Sequence, residues 1–281
     1  MTTEKRVALN LGCGVSYLIS PEWVNLDWQS NSKHVRRQNL LKKLSCDSNT
    51  CDLVYSSHLF EHLTQEDCSK LLQECFRVLK PLGTIRISIP DFEEMANAYI
   101  EAKREGDLSA SQFILTEIVD QCVRISPSGT FPKWYKLAAN DKRLEELIKT
   151  RTGVSMRDRA QSLLEESSKS HSRKLDFVRT LPQRVLNRLV KKYISLVLLF
   201  LPRWFRSYHV SKTTPGERHM WHYDFASLSA LLEELGFERV EKIQERRTRS
   251  DFHEVLDLDF DASGRPIKGS STMFVEASKP Q

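Results

Sequence analysis

From residue 6 to residue 104 the chain alternates between short apolar runs of strand character and longer segments with helical spacing. Arg6 to Leu11 reads as a buried strand stopped by Gly12, Trp23 to Trp28 as a second ending at Asp27, and Asp52 to Ser56 as another. Leu63 to Leu79 repeats Leu71, Leu72, Cys75, Phe76 and Leu79 at helical intervals, with Thr64 as N-cap and Pro81 and Gly83 as stops. Thr84 to Ile89 is a strand closed by Pro90 and Asp91, and Phe92 to Arg104 an amphipathic helix. Such alternation folds as an open, mostly parallel sheet with helices on both faces, and ligands bind beyond the carboxyl ends of its strands. Gly12, Asp27 and Ser56 fall at those ends.

The pattern returns late in the chain. Phe225 to Leu235 is a helix capped by Gly236, Arg239 to Ile243 a strand and Thr272 to Ala277 another, an antiparallel hairpin that closes the sheet. From about 106 to 215 the sequence is basic, helical and irregular, with a polar stretch at Leu164 to Lys174, and reads as a largely helical cap inserted into a single domain of 281 residues. No internal repeat is visible.

Composition removes several classes. A net charge of +5, from 42 basic and 37 acidic residues, is small beside that of a dedicated nucleic-acid binder. The six cysteines form no CxxC pair and have no histidine at zinc spacing, so they read as reduced thiols. The chain begins without an apolar leader, and its longest apolar run, Ile194 to Leu201, is far short of the roughly 20 residues that span a bilayer. A cytoplasmic protein is expected.

The sharpest motif is LNLGCG, Leu9 to Gly14, with two glycines one residue apart directly after a strand. They permit a tight turn and close approach of a ligand to the main chain. A dinucleotide site would need a small residue at position 17, a long following helix and an acid some 20 residues on. Here position 17 is Tyr17, Pro21 interrupts early and Asp27 follows closely. A nucleoside without phosphates fits this loop better than NAD does. Asp27 is placed to accept from two vicinal ribose hydroxyls, the alternative being a solvated turn aspartate.

Together LNLGCG, NLDW, DLVYSSHLFEHL, ECFRVLKPLGTIRISIPD and STMFVEASKP resemble class I S-adenosylmethionine (SAM)-dependent methyltransferases, nearest to the type 11 group found among sugar and polysaccharide biosynthesis enzymes. The resemblance covers about 6 to 104 and 214 to 280. It implies a Rossmann-like seven-stranded sheet, with SAM held by Asn10, Leu11, Gly12, Cys13, Gly14, Asp27, Trp28, Asn39, Leu40, Ser57 and His58. Two departures stand out: Asn39, where relatives often carry Asp near the adenine, and Asn10, where many carry an acid.

Methyl transfer from a sulfonium requires alignment of acceptor and methyl group and, for a hydroxyl acceptor, removal of a proton. His58 is the first candidate base, since a histidine ordinarily titrates near neutrality. Glu61 and His62 lie one turn on, as site wall or as buried structural groups. GERHMWHYD, Gly216 to Asp224, resembles a segment of the same group and gathers Arg218, His219, Trp221, His222 and Tyr223. Its histidines are further base candidates, and its aromatic and polar side chains suit a sugar. The plainer reading is an N-cap, Asp224, with core aromatics. No metal is expected: His219, His222 and Asp224 match no helical His pair at i, i+4.

The basic, apolar stretch Arg184 to Arg206 is either a cap or oligomer helix, or one lying on an anionic membrane. The expected activity is O-methylation of a sugar-containing acceptor. Alternatives are a small-metabolite or lipid acceptor, the latter favoured by Lys191 and Lys192, and a non-catalytic SAM-fold scaffold, which Asn10 and Asn39 would fit. RNA methylation ranks low, for want of an NPPY-type motif or an aromatic base-stacking platform.

Overall fold

The computed structural model describes residues 6–30, 32–155, 181–211, 213, 216–244 and 246–281. The polar stretch at Leu164 to Lys174 lies outside the described residues.

Seven strands form one sheet in the order β3-β2-β1-β4-β5-β7-β6. They are β1 (Ala8–Leu11), β2 (Trp23–Asp27), β3 (Val35–Arg37), β4 (Cys51–Ser57), β5 (Leu79–Pro90), β6 (Glu238–Ile243) and β7 (Thr272–Ser278). Strands β1 to β5 pair in parallel, whereas β7 runs antiparallel between β5 and β6. The closing antiparallel pair is therefore present, but its strands are joined by a long connection that carries the short helix Leu256–Asp259, not by a hairpin turn. The edge strand β3, Val-Arg-Arg with only Val35 buried, lacks the apolar run that would announce it.

Central strands buried on both faces read as continuous apolar runs. Leu9, Leu11, Val54, Ile85 and Ile87 face one core, closed by Leu71, Leu72 and Cys75 of α1 (Gln65–Val78) and by Leu228 and Leu232 farther along the chain. Ala8, Leu53 and Tyr55 face the other, against Trp23, Phe252 and Val255. Helix α1 starts where Thr64 accepts a hydrogen bond from the Asp67 amide, and α2 (Phe92–Arg104) where Asp91 accepts from the amides of Glu93 and Glu94.

On the second face Arg86, fully buried, donates to Asp259 and Glu276 at 2.7 Å each, and the Tyr55 hydroxyl donates to Asp259 at 2.7 Å. A buried guanidinium is sustained only by such direct pairing with carboxylates, here through Nε and Nη1.

After α2 come α3 (Leu108–Val123), α4 (Phe131–Ala138) and α5 (Lys142–Thr152), which share a core of Phe113, Ile114, Phe131, Leu144 and Ile148 with Ala102 of α2. Buried Arg151 fastens this cap to the sheet: it reaches Glu117 at 2.6 Å and Glu94 at 3.1 Å, and Ser271, just before β7, donates to Glu117 at 3.1 Å. Helices α6 (Leu181–Leu199), α7 (Arg203–His209), α8 (Phe225–Glu234) and the short α9 (Leu256–Asp259) follow. Asp224 caps α8 through a reciprocal box with Ser227.

Candidate active site

In this strand order the crossover that carries the chain from one side of β1 to the other opens a crevice at the carboxyl ends of β1 and β4, where α/β sheets bind ligands. Gly12 follows β1 with φ +63°, and a Cβ there would meet the Leu59 side chain at 2.9 Å. Only glycine fits. Asp27, at the end of β2, accepts from the Gly14 amide and from the Gln29 amide, each at 2.9 Å. The glycine loop and the carboxylate are thus locked together.

These residues edge a cavity of 860 Å³, with Trp28, Asn39 and Leu40 along one wall and His58, Arg218 and Met220 along the other. Its size lies in the ordinary range for cofactor sites, about 300–1,000 Å³. A second cavity, of 370 Å³, opens on the far side of His58 beneath the cap. Gln121, Arg124, Phe131 and Tyr135 line it from the cap, and His219 and His222 from the segment before α8. Among the described residues, His58 alone lines both cavities.

His58 sits at the end of β4 with φ +50°, a left-handed conformation costly for a side chain with a Cβ. Its backbone amide donates to the Ser88 carbonyl at 2.8 Å, which holds the turn. Its Nδ1 lies 3.1 Å from Glu61 Oε1, and its Nε2 lies 3.2 Å from the Thr272 hydroxyl. With Nδ1 carrying a proton toward the carboxylate, Nε2 keeps its lone pair for a proton to come.

Glu61 is 1% exposed, on a 3-10 turn, Phe60–His62, that packs it into the middle of an imidazole cluster. Besides His58, its Oε1 has His62 Nε2 at 3.9 Å, while neither carboxylate oxygen accepts a hydrogen bond of good angle. Burial alone would raise its pKa, but His58, His62 and His219 outweigh burial and hold it at about 2. His62 donates from Nδ1 to the Arg218 carbonyl at 2.9 Å, and His222 donates from Nε2 to the Ile118 carbonyl at 2.9 Å. These bonds fix both rings. His219 is 4% exposed with Nδ1 unpartnered, and burial lowers its pKa to about 3 against the pull of Glu61. It stays neutral at physiological pH.

Glu61, His62 and His219 each offer one ligand atom, all within 4.8 Å of one another, and this is the set that could hold a metal among the described residues. The histidine and acid set weighed from sequence is not brought together in this way, since Asp224 is committed to capping α8.

Several sequence-predicted residues are placed elsewhere. Asn10 is buried and donates to Asn25 Oδ1 at 3.2 Å and to the Ser16 carbonyl at 3.1 Å, so it braces β1 against β2 instead of facing the larger cavity. The Leu11 side chain belongs to the core, and Cys13 is buried and Ser57 half-buried, none of the three lining that cavity. Tyr223 is a core residue and Trp221 is exposed, and neither lines either cavity. Arg218 lines the larger cavity, its guanidinium donating to the Cys122 carbonyl at 3.0 Å. Asn39 turns the chain with Leu41, its Oδ1 accepting the Leu41 amide at 2.9 Å. Sequence reasoning missed Leu59, which makes Gly12 obligatory, Thr272, and the cap residues of the second cavity.

The family described as Methyltransferase domain, of type 11, matches residues 9–87, from β1 into β5. That span contains Gly12, Asp27, Asn39, His58 and Glu61. No curated protein matches the chain. Among solved structures, a SAM dependent methyltransferase from Archaeoglobus fulgidus is 15% identical over 98% of this chain and 86% of its own, with a TM-score of 0.40. The YcgJ protein from Bacillus subtilis is 12% identical over 99% of this chain and 93% of its own, with a TM-score of 0.37.

Proposed function

We propose that this chain is a SAM-dependent methyltransferase that methylates a hydroxyl of a sugar-containing acceptor. The observation that carries the reading is the position of His58, which stands between a cofactor-sized cavity and a second, mixed polar and aromatic one.

The residues of the larger cavity fit SAM. The Gly12 cradle admits a ligand against the main chain, the Asp27 carboxylate suits vicinal hydroxyls, and Leu40, Leu41 and Leu59 give apolar walls for a purine. Asn10 gives no support to a scaffold reading, because its amide is engaged between Asn25 and Ser16. When bound, SAM supplies a methyl group activated by its sulfonium, so the transfer is an in-line displacement.

The protein's part is to hold the acceptor and take its proton. The rings of Phe131 and Tyr135 offer faces to a sugar, and Gln121, Arg124 and Ser128 offer polar contacts to its hydroxyls. His58 Nε2 accepts the hydroxyl proton as the oxygen becomes methylated, and Glu61 keeps the imidazole oriented through Nδ1 and balances the charge that forms.

The test is isothermal titration with SAM and S-adenosylhomocysteine, followed by an acceptor screen over sugars and glycolipids. Micromolar binding that falls at least tenfold in Asp27→Ala supports the reading. Pure, folded protein that binds neither ligand would overturn it.

A further inference from the structure

Helices α6 and α7 belong to none of the hydrophobic clusters of the described residues. Yet among the described residues this segment carries a dense run of exposed apolar side chains. Leu189, Tyr193, Ile194, Leu196, Val197, Phe200 and Trp204 all present exposed side chains, with Phe200 83% and Trp204 63% accessible. A soluble monomer seldom leaves so much contiguous apolar surface in water.

The charge of the segment is as one-sided as its hydropathy. From Leu181 to Ser211 there are six Lys or Arg and no Asp or Glu. At about 100° per residue, positions 189, 190, 193, 194, 196, 197 and 200 fall within an arc of about 160°, and positions 184, 188, 191 and 192 within an opposite arc of about 100°. A helix with an apolar face, a basic face and aromatic residues at its end is built to lie in the plane of a membrane, its rings at the headgroup level. It does not cross one: among the described residues no helix is long and apolar enough.

We infer that α6 and α7 dock this protein on an anionic lipid surface. Charge decides between that occupant and a second copy of the chain. A two-fold contact through this face would cover the apolar side chains but turn the basic stripe to solvent with no acid in the segment to neutralise it, whereas an anionic surface takes both, since long Lys and Arg side chains reach headgroups from the rim of a buried apolar face.

The experiment is sedimentation of the full chain with vesicles of phosphatidylcholine alone and with a third of the lipid replaced by phosphatidylglycerol. Binding is expected to be at least tenfold tighter to the anionic vesicles and to weaken with added salt. Leu196→Glu/Phe200→Glu should abolish it, and Lys191→Glu/Lys192→Glu should weaken it at least tenfold. In both variants the thermal midpoint should be unchanged, which excludes misfolding as the cause. Equal binding to both vesicle types, or variants that bind as the wild type does, would overturn the inference. So would a concentration-dependent dimer that Leu196→Glu dissolves, with no vesicle binding by either form.

Discussion

Replacing Glu61 by glutamine tests how the site is held together. The wild-type carboxylate is 1% exposed and kept ionised by its imidazole neighbours, its pKa lowered from the usual 4.5 to about 2. At 1.36 kcal/mol per pH unit that difference is equivalent to about 3 kcal/mol, the upper bound reached where the neighbouring imidazoles carry protons. Because the folded pKa is depressed, this stabilisation is complete above the unfolded value and is lost as pH falls from about 4.5 toward 2. His219 adds a second acid-sensitive step. Its pKa is lowered from 6.5 to about 3, so the unfolded chain takes up that proton first and stability declines as pH falls through this window. Urea unfolding of both proteins from pH 3 to pH 8 separates the two. Glu61→Gln should be less stable at pH 7 by up to about 3 kcal/mol, and the gap should shrink to about half by pH 3 as the wild-type carboxylate loses its advantage. Glu61 lines neither cavity, so affinity for S-adenosylhomocysteine should change less than threefold. A deficit of constant size across the range would refute the reasoning, since it would mean that the introduced amide packs badly and that the charge contributes nothing.

His58→Ala should leave SAM affinity within about threefold while lowering methyl transfer to a responsive acceptor by about 10²–10⁴, the usual yield of a positioned base, measured as S-adenosylhomocysteine formed. Arg86→Met should cost about 3–5 kcal/mol by leaving Asp259 and Glu276 buried without their cation, and adding Asp259→Asn and Glu276→Gln should restore most of the thermal midpoint. Gly153→Ala should lower that midpoint sharply, because at φ +70° its Cβ would overlap the Ile267 carbonyl and separate α5 from the loop before β7.

The parts of this fold legible in the sequence are those where burial on one face or both writes a period. Strands β1, β2, β4 and β5 and helices α1, α2 and α8 follow from apolar spacing and from the caps at Thr64, Asp91 and Asp224. What escaped was polar or short. Strand β3 is three residues with two exposed arginines, and α9 is four residues whose Asp259 is fixed by Arg86 and Tyr55 from distant strands. No local pattern encodes a partner so far away along the chain.

The same division runs through the site. The glycine loop and Asp27 are local and could be read, because a backbone with φ near +60° favours glycine wherever it occurs. The function assigned to Asn10 could not be read, because a side chain at a strand end has two ways to turn and the choice is made by Asn25 on the neighbouring strand. Thr272 was within reach in principle: an antiparallel strand beside β5 starts where the parallel strands end, so its first residue arrives at the crevice. From there it meets His58 Nε2, while Glu61 meets Nδ1 from the turn that follows β4. One imidazole is thus fixed from opposite ends of the chain, between two cavities whose walls share no other described residue, and the strained backbone at His58 is what the fold concedes to put it there.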